Sequence, residues 1–286
     1  MKEAVVQEAA QKADILLQAL KYIKKFEGKI IVIKYGGNAM ENEELQASVF
    51  QDISMLARLG LQIVVVHGGG LKIDEELAKQ GIPKKTINGL RVTDDTTLKI
   101  VVKTLKEVNK ECVDGLQNVG IDAQDYTAGM FLTKTHPDTR YGHIGDIIEA
   151  DSASLHKALV DGVVPVISSL GADKNGHPHN INADTAATKI AEVLKAEKLT
   201  IVTNIDGVLD ADGKRIAHLS VKDIPHYIEN GVIRGGMIPK VWACADAVSH
   251  GVKKAHLLDG TVPRALLLEI FTDGGIGTEI VRRETN

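Results

Sequence analysis

The stretch Lys29-Ile-Ile-Val-Ile-Lys-Tyr-Gly-Gly37 decides the fold. Its apolar residues Ile30–Ile33 are rich in β-branched side chains, which is typical of a buried strand in a parallel sheet. Lys34 then stands at the carboxyl end of that strand, and Gly36 and Gly37 follow it. In open α/β sheets ligands bind just beyond the carboxyl ends of the strands, where glycines let backbone N–H groups approach an anion. The stretch predicts a phosphate site, and a buried strand with a solvated lysine and an ordinary turn fits it equally well.

Strands and helices alternate on the C-terminal side of this stretch. Leu61–Val66 predicts a second buried strand, His67-Gly-Gly-Gly70 follows it, and Leu71–Gln80 has helical spacing. Free N–H groups and the positive end of the helix dipole make such a turn suited to a carboxylate or a phosphate. Further strands are predicted over 163–168, 199–204, 255–258 and 278–281, and further helices over 44–59, 94–119, 152–159, 184–195 and 239–250. This alternation predicts an α/β fold with a mostly parallel sheet.

The composition limits the classes of function. The 286 residues suffice for one large domain or two lobes, and the hydrophobic and charged fractions, 44% and 25%, are ordinary for a globular protein. With 34 basic and 38 acidic residues, the net charge of −4 disfavours a nucleic-acid-binding protein. No apolar run reaches the ~18 residues of a membrane span, and the N-terminus lacks a signal-peptide pattern. We therefore expect a cytoplasmic protein that binds neither nucleic acid nor membrane.

The first 26 residues have the pattern of an amphipathic helix. Apolar residues recur every three or four positions between Val5 and Ile23. The apolar stripe of such a helix must be covered, and an α/β domain could start directly at Lys29. The helix could lie on its own domain or on a partner subunit, and of the two we expect the partner subunit.

Three charged residues occupy positions that suit ligand binding. Arg91 follows a turn-like stretch, and its forked guanidinium can clamp a carboxylate through two bonds. Asp184 lies near a helix start, where a carboxylate either caps the helix or holds nearby cations. Lys240 follows Pro239 in the first turn of a helix, where a cation opposes the dipole, and a residue placed against its local preference suggests function. A surface arginine remains an alternative interpretation of Arg91.

Two weaker features concern a lid and a metal. Residues 121–148 combine short apolar stretches with turn residues, which predicts a small hairpin region and a possible lid over a substrate. His177 and His179 could form a metal pair, but no third ligand has a suitable spacing, and Cys112 and Cys244 form no metal motif. We therefore expect no metal site built from protein ligands.

The chemistry that fits these residues is phosphoryl transfer. The chain lacks Gly-x-x-x-x-Gly-Lys-Ser/Thr and Gly-x-Gly-x-x-Gly, which disfavours a dinucleotide oxidoreductase, and it lacks the Gly-x-Ser-x-Gly motif of an esterase. The candidate residues are then two lysines beside glycine loops, Lys34 and Lys240, and one carboxylate, Asp184. A separate candidate site combines the triple glycine with Arg91. Phosphoryl transfer needs positioning and charge neutralisation rather than a protein nucleophile, and a nucleotide brings its own Mg²⁺.

Six motifs resemble one known family. They are Lys34-Tyr-Gly-Gly37, His67-Gly-Gly-Gly70, Gly89-Leu-Arg-Val-Thr-Asp94, Asn180-Ile-Asn-Ala-Asp184, Asn204-Ile-Asp-Gly207 and Gly235-Gly-Met-Ile-Pro-Lys240. Each alone is weak, but they occur in order over nearly the whole chain and are specific together. On these motifs the chain resembles the amino acid kinase family, and within it the N-acetylglutamate kinases of arginine biosynthesis.

The resemblance implies a three-layer αβα sandwich with a mostly parallel central sheet, the amino acid kinase fold, preceded by an extra helix over residues 1–26. Residues 27–286 would form one domain, in which about 27–180 bind N-acetyl-L-glutamate and form the dimer contact and about 181–286 bind ATP. The implied reaction moves the γ-phosphoryl group of ATP, which carries Mg²⁺, to the side-chain carboxylate of N-acetyl-L-glutamate. The products are an acyl phosphate and ADP.

The resemblance also implies roles for single residues. Lys34 and Lys240 would stabilise charge in the transition state, and Asp184 would orient both. Gly37 and Gly69 would donate N–H groups to the phosphoryl oxygens. The residues implied to hold N-acetylglutamate are Gly69, Gly70, Arg91, Asn180 and Asn182. Those implied to hold the nucleotide are Lys34, Gly36, Gly37, Asn204, Ile205, Asp206, Gly207, Val208, Leu209, Val232, Ile233, Arg234 and Lys240.

Regulation is implied as well, because the N-terminal helix resembles the extra helix of arginine-inhibited members, in which such helices interlace three dimers into a hexamer. The residues that match the L-arginine site of those members are Tyr22, Lys198, Glu269, Ile270, Phe271, Thr272 and Gly277. In photosynthetic relatives a PII protein binds the hexamer, and the sequence leaves that partner open. Two other functions also stay open: a related kinase of aminoadipate, aspartate or carbamate, and a non-catalytic arginine-responsive binding protein on the same scaffold.

Overall fold

The computed structural model describes residues 19–40, 42–272 and 275–282, together with Val6 and Leu17. Most of the helix predicted over residues 1–26 therefore lies outside the described residues. Val6, Leu17 and residues 19–26 are helical, and we call residues 19–26 α1.

Strands and helices alternate along the rest of the chain. The strands are β1 (Ile30–Tyr35), β2 (Gln62–His67), β3 (Thr86–Ile87), β4 (Leu90–Arg91), β5 (Ala123–Asp125), β6 (Phe131–Thr135), β7 (Gly145–Ala150), β8 (Val164–Ser168), β9 (Leu170–Ala172), β10 (Pro178–Asn180), β11 (Lys198–Thr203), β12 (His218–Ser220), β13 (Lys254–Asp259) and β14 (Thr278–Val281). The helices after α1 are α2 (Glu43–Arg58), α3 (Gly70–Lys79), α4 (Asp95–Asn118), α5 (Ser152–Val160), α6 (Ala183–Val193), α7 (Ile224–Glu229), α8 (Met237–Ser249) and α9 (Ala265–Phe271).

Eight of the described strands form the central sheet, in the order β12-β14-β13-β11-β1-β2-β8-β5. The strands from β13 to β5 run parallel, and β14 is antiparallel to β13. β1 lies between β11 and β2, with Lys34 opposite Ile201 on one side and Val66 on the other. The mostly parallel sheet predicted from the alternation of elements is confirmed.

Alternate residues of the central strands face two different helical layers, as the two-residue period of a strand requires. Val32 and Val64 belong to a core that they share with α5, α6 and α8. Ile31, Ile33 and Ile63 belong to a second core that they share with α2, α4 and α9. Because both faces of the sheet are covered, the middle residues of its central strands β1 and β2 are apolar on both sides. The three-layer αβα sandwich is confirmed.

A smaller sheet of four strands, in the order β10-β9-β6-β7, lies beside the central one. The hairpin predicted over residues 121–148 is confirmed for β6 and β7, which pair antiparallel. The prediction is wrong for residues 123–125, because β5 pairs parallel with β8 and extends the central sheet. The lid role of the hairpin stays a prediction, as does the division into lobes near residue 180.

Two further observations complete the fold. The short stretch 266–270, in which only Glu269 is charged, lies in α9. No helix in the described part of the chain combines the length and the hydrophobicity that a bilayer crossing requires. The carboxyl ends of the parallel strands all meet at one edge of the sheet, and the loops that follow them gather there.

Candidate active site

A cavity of about 370 Å³ lies at the carboxyl ends of β1 and β2. Small-molecule sites in proteins commonly have volumes of about 300–1,000 Å³. The sequence-predicted residues that line the cavity are Lys34, Gly36, Gly37, Gly69, Gly70, Arg91, Asn180, Asn182, Asp184 and Lys240. The sheet brings these distant positions together, and they form the candidate active site.

Two lysines share one carboxylate at the centre of this cavity. Lys34 Nζ lies 3.3 Å from Asp184 Oδ1, and Lys240 Nζ donates a 2.9 Å hydrogen bond to Asp184 Oδ2. The side chains of Lys34 and Asp184 are only 9% and 10% exposed, and that of Lys240 is 23% exposed. We call Lys34, Asp184 and Lys240 the lysine–aspartate cluster.

The helix-capping alternative for Asp184 is wrong, because Asn182 performs that task. Asn182 Oδ1 accepts hydrogen bonds from the backbone N–H groups of Asp184 and Thr185, at 2.9 and 3.0 Å. Asp184 lies in the first turn of α6 and points its carboxylate at the lysines instead. A capping asparagine two positions earlier therefore leaves the aspartate available for the cluster.

The cluster carries one excess positive charge. Burial lowers the pKa of the Lys34 ammonium, and Asp184 opposes that shift. Burial acts to raise the pKa of Asp184, but the two lysines outweigh it and hold that pKa below its usual range. Because an ionised carboxylate lies between two cations in a poorly solvated cavity, an incoming anion is strongly attracted.

The glycines next to the cluster have physical reasons to be glycine. A Cβ at Gly36 would lie 2.7 Å from Lys34 Nζ and would displace the ammonium. Gly37 has φ +74°, a backbone conformation that side chains with a Cβ rarely adopt. Gly69 precedes α3 without a capping side chain, which leaves the first N–H groups of that helix available to an anion.

Arg91 approaches the same cavity from β4 in a two-stranded hairpin. Its Nη2 atom donates a 3.0 Å hydrogen bond to the carbonyl oxygen of Gly70. Nearby, Asn180 Nδ2 donates a 3.1 Å hydrogen bond to Thr93 Oγ1, which ties β10 to the segment after β4. The side-chain oxygen of Asn182 is occupied by the cap of α6, although the residue lines the cavity.

A second cavity, of about 540 Å³, lies beyond β11. The predicted nucleotide residues that line it are Ile205, Gly207, Val208, Leu209, Val232 and Arg234. Asn204 and Asp206 lie exposed on the same loop outside the lining, and Ile233 is buried in the core. Helix α8 connects the two cavities, because its first residue, Met237, lines this one and Lys240 lines the other.

Comparison with known proteins decides the family. The model of the amino acid kinase family matches residues 29–259, which is most of the chain. The chain belongs to the amino acid kinase family. The resemblance found in the six motifs is thereby confirmed.

Curated relatives of this amino acid kinase match it over nearly its whole length. It is 42% identical to the acetylglutamate kinase of Geotalea daltonii, covering 96% of this chain and 99% of the relative. It is 44% identical to the acetylglutamate kinase of Desulforamulus reducens, and the match covers 95% of this chain and 98% of the relative.

Solved structures agree with the fold. The N-acetylglutamate synthase of Neisseria gonorrhoeae, solved with coenzyme A and N-acetylglutamate, superposes with a TM-score of 0.88 at 26% identity. The match covers 96% of this chain but only 64% of the synthase. A carbamate kinase of Giardia lamblia, with a TM-score of 0.66 at 16% identity over 90% of this chain and 99% of the kinase, shares the fold alone.

A third cavity of this amino acid kinase, of about 160 Å³, lies between α1 and α9. The predicted arginine-site residues that line it are Tyr22, Lys198, Glu269, Ile270, Thr272 and Gly277. Phe271 lies outside the lining and packs against the core formed with α2, α4 and α9.

Buried charges surround this third cavity. Lys198 Nζ lies 3.6 Å from Glu269 Oε1. His256 contacts Glu269 through Nδ1, and its Nε2 atom lies 3.5 Å from Glu279 Oε1. Burial acts to raise the pKa of Glu269, but His256, Lys198 and the N–H of Ile276 lower it to about 2. The lining of this cavity thus combines carboxylates with cations.

Sequence reasoning missed several residues of these cavities. Asp74, Lys72 and Lys84 line the first cavity, and His256 and Glu279 line the third. The signal for Asp74 was its position four residues after Gly70, which places both on one face of α3. The signal for His256 was a polar residue between the apolar residues Ala255 and Leu257 of a strand.

Proposed function

We propose that this chain uses ATP to phosphorylate the side-chain carboxylate of N-acetyl-L-glutamate, yielding N-acetyl-L-glutamyl 5-phosphate and ADP in arginine biosynthesis. The observation that carries the proposal is the buried lysine–aspartate cluster in a cavity that also holds Arg91 and the triple glycine. The near full-length likeness to acetylglutamate kinases supports the same substrate.

The charge of the cavity fits this substrate. The described lining carries five cationic side chains, Lys34, Lys72, Lys84, Arg91 and Lys240, and two carboxylates, Asp74 and Asp184. N-acetylglutamate has two carboxylates, and acetylation removes the positive charge of its amine. A free amino acid such as glutamate would bring an ammonium group into a region of positive potential, which costs binding energy. The lining therefore favours the acetylated amino acid.

The residues of the cluster act on the phosphoryl group in transit. A side-chain carboxylate oxygen of the substrate bonds to the γ-phosphorus while the bond to the β–γ bridging oxygen breaks and ADP leaves. Lys34 and Lys240 neutralise charge on the transferring group, and Asp184 holds both ammonium groups in place. The N–H groups of Gly37 and Gly69 donate to the phosphoryl oxygens. No protein nucleophile takes part.

The ligands available for Mg²⁺ lie on the nucleotide. Both carboxylates in the described lining of the first cavity, Asp74 and Asp184, are held in ion pairs with cations. We therefore infer that phosphate oxygens of ATP and water hold the ion, which neutralises phosphate charge. The nucleotide itself would lie in the second cavity, since α8 leads from there to Lys240.

A substrate panel tests the proposal. We expect ADP release with N-acetylglutamate to exceed that with glutamate, aspartate, aminoadipate and carbamate by about 100-fold or more in kcat/KM. The first three bring an ammonium group into a region of positive potential, and carbamate has no second carboxylate to pair with the remaining cations. If aminoadipate or aspartate is turned over as fast as N-acetylglutamate, the proposed substrate is wrong. If no carboxylate of the panel supports ADP release, a non-catalytic binding protein is favoured.

We further propose that L-arginine inhibits the enzyme from the third cavity, in a cytoplasmic homohexamer joined by the N-terminal helices. Ionised Glu269 and Glu279 supply partners for a guanidinium, and Lys198 supplies one for a carboxylate. Tyr22 and Phe26 of α1 line the same cavity, so a ligand there contacts the helix. This contact would couple arginine binding to the arrangement of subunits.

Replacement of Glu269 by glutamine is expected to raise the arginine concentration for half-inhibition about tenfold or more, because a charge-assisted bond becomes a neutral one. The kcat and KM without arginine should stay within about twofold, since Glu269 lies outside the active-site cavity. Glu43→Gln, at an exposed glutamate of α2, is the matched control. Full arginine sensitivity in Glu269→Gln would contradict the assignment of the third cavity.

A further inference from the structure

Asp74 holds two cations at the rim of the active-site cavity. Its Oδ1 atom lies 2.5 Å from Arg91 Nη2, and its Oδ2 atom accepts a 2.7 Å hydrogen bond from Lys84 Nζ. The carboxylate stands on α3, one turn after Gly70, whose carbonyl oxygen accepts a hydrogen bond from the same Nη2 atom that forms the ion pair with Asp74. The helix and the hairpin that carries Arg91 are thus tied together by one carboxylate.

These contacts use only one of the two terminal nitrogens of the guanidinium. Nη2 of Arg91 contacts Asp74 and Gly70, whereas Nη1 is buried and has no hydrogen-bond partner among the described residues. The Arg91 side chain is only 11% exposed and lines the cavity. A buried guanidinium N–H without a partner is costly, so Arg91 keeps bonding capacity that the described residues beside the cavity leave unused.

The cavity therefore contains two groups of the same design. The lysine–aspartate cluster sets one carboxylate between Lys34 and Lys240, and Asp74 lies between Arg91 and Lys84. The first is buried, and the second is more exposed, because Asp74 is 24% and Lys84 is 53% exposed. A substrate with two carboxylates needs one site for the group that reacts and another for the group that does not.

We propose that Asp74 is a positioning residue that fixes Arg91 and Lys84 as the receptor for the carboxylate that is not phosphorylated. This inference rests on the proposed function and deepens it. Asp74 makes no contact with the reacting group: it holds the guanidinium of Arg91, a residue of the cavity lining, in place before the substrate arrives. Preorganisation of this kind improves affinity by removing the cost of ordering the side chain on binding.

Asp74→Asn tests the inference, because asparagine keeps the shape and removes the charge. We expect the KM for N-acetylglutamate to rise about 10- to 100-fold, with kcat and the KM for ATP within about twofold, since the lost interaction acts equally on bound substrate and transition state. Asp74→Glu should restore part of the affinity. The control is Glu76→Gln on the same helix, where Glu76 pairs with Lys79 outside the cavity lining.

A double-mutant cycle shows whether Asp74 acts through Arg91. In an Arg91→Lys background, Asp74→Asn should raise the KM much less than in the unsubstituted enzyme, because the guanidinium that it orients is gone. If the effects of the two substitutions on the KM are additive, Asp74 does not act through Arg91 and the inference is overturned. It is also overturned, in favour of a structural role, if Asp74→Asn lowers kcat, raises the KM for ATP and lowers the melting temperature. An unchanged KM in Asp74→Asn overturns the inference alone, whereas an unsubstituted enzyme that fails to turn over N-acetylglutamate overturns the proposed function as well.

Discussion

Replacement of Lys34 by methionine is expected to lower kcat about 1,000-fold. Methionine keeps most of the length of the side chain but removes the ammonium that faces the transferring phosphoryl group. Removing one preorganised donor from such a site costs about 100- to 1,000-fold, and removing a full charge from phosphoryl transfer costs at least as much. Steady-state ADP release at saturating substrates measures the loss.

The fold should survive this change. Lys34 is buried, and an apolar side chain of similar size in its place removes a desolvated charge. Asp184 keeps its 2.9 Å hydrogen bond to Lys240, so no carboxylate is left without a partner. A melting temperature within a few degrees of the unsubstituted enzyme separates loss of chemistry from loss of structure. Lys79→Met on α3, at an exposed lysine outside the cavity, is the matched control. A kcat within tenfold of the starting value would contradict the role of Lys34.

Replacement of Asp184 by asparagine is expected to lower kcat about 100- to 1,000-fold and to change its pH dependence. Asp184 raises the pKa of Lys34 against the effect of burial. Without that carboxylate the pKa of Lys34 falls further, so Lys34 loses its proton at a lower pH. The alkaline limb of kcat should therefore move to lower pH in Asp184→Asn.

The pH profile distinguishes this mechanism from a general loss of structure. Breaking a buried ion pair also lowers the free energy of unfolding, by about 3 kcal/mol, and thermal unfolding measures that part separately. Asp161→Asn, at an exposed aspartate after α5, is the control and should change neither the pH profile of kcat nor the free energy of unfolding. If kcat falls but still declines at the same alkaline pH as in the unsubstituted enzyme, Asp184 does not control the protonation of Lys34.

The sequence predicted the centre of the site because its signals are local. A buried β-branched strand that ends in a lysine and two glycines specifies both the strand and the place where a ligand binds. Lys240 was identifiable because a cation in the first turn of a helix opposes the dipole. These inferences depend on neighbours in the chain, and the structure places both lysines on one carboxylate.

Other parts depend on tertiary contacts that leave little trace in the sequence. Asn182 and Asp184 are both good helix-capping residues, and only the side-chain geometry shows that the asparagine caps α6. Asp74 pairs with Arg91, which lies in a hairpin, and with Lys84, which lies just before it. The strands of that hairpin have two residues each and are too short for a periodic pattern. Helix α9 has only seven residues, six of them apolar, and over so short a segment periodicity cannot separate a helix from a strand.

Trapping the product with hydroxylamine tests the central claim most directly, since an acyl phosphate reacts with hydroxylamine to give a stable hydroxamate. Incubation with ATP, Mg²⁺ and N-acetylglutamate should yield the side-chain hydroxamate of N-acetylglutamate in amounts equal to the ADP released, and Lys34→Met should yield about 1,000-fold less per unit time. ADP release without hydroxamate, or equal hydroxamate formation by Lys34→Met, would contradict transfer of a phosphoryl group to that carboxylate at the lysine–aspartate cluster.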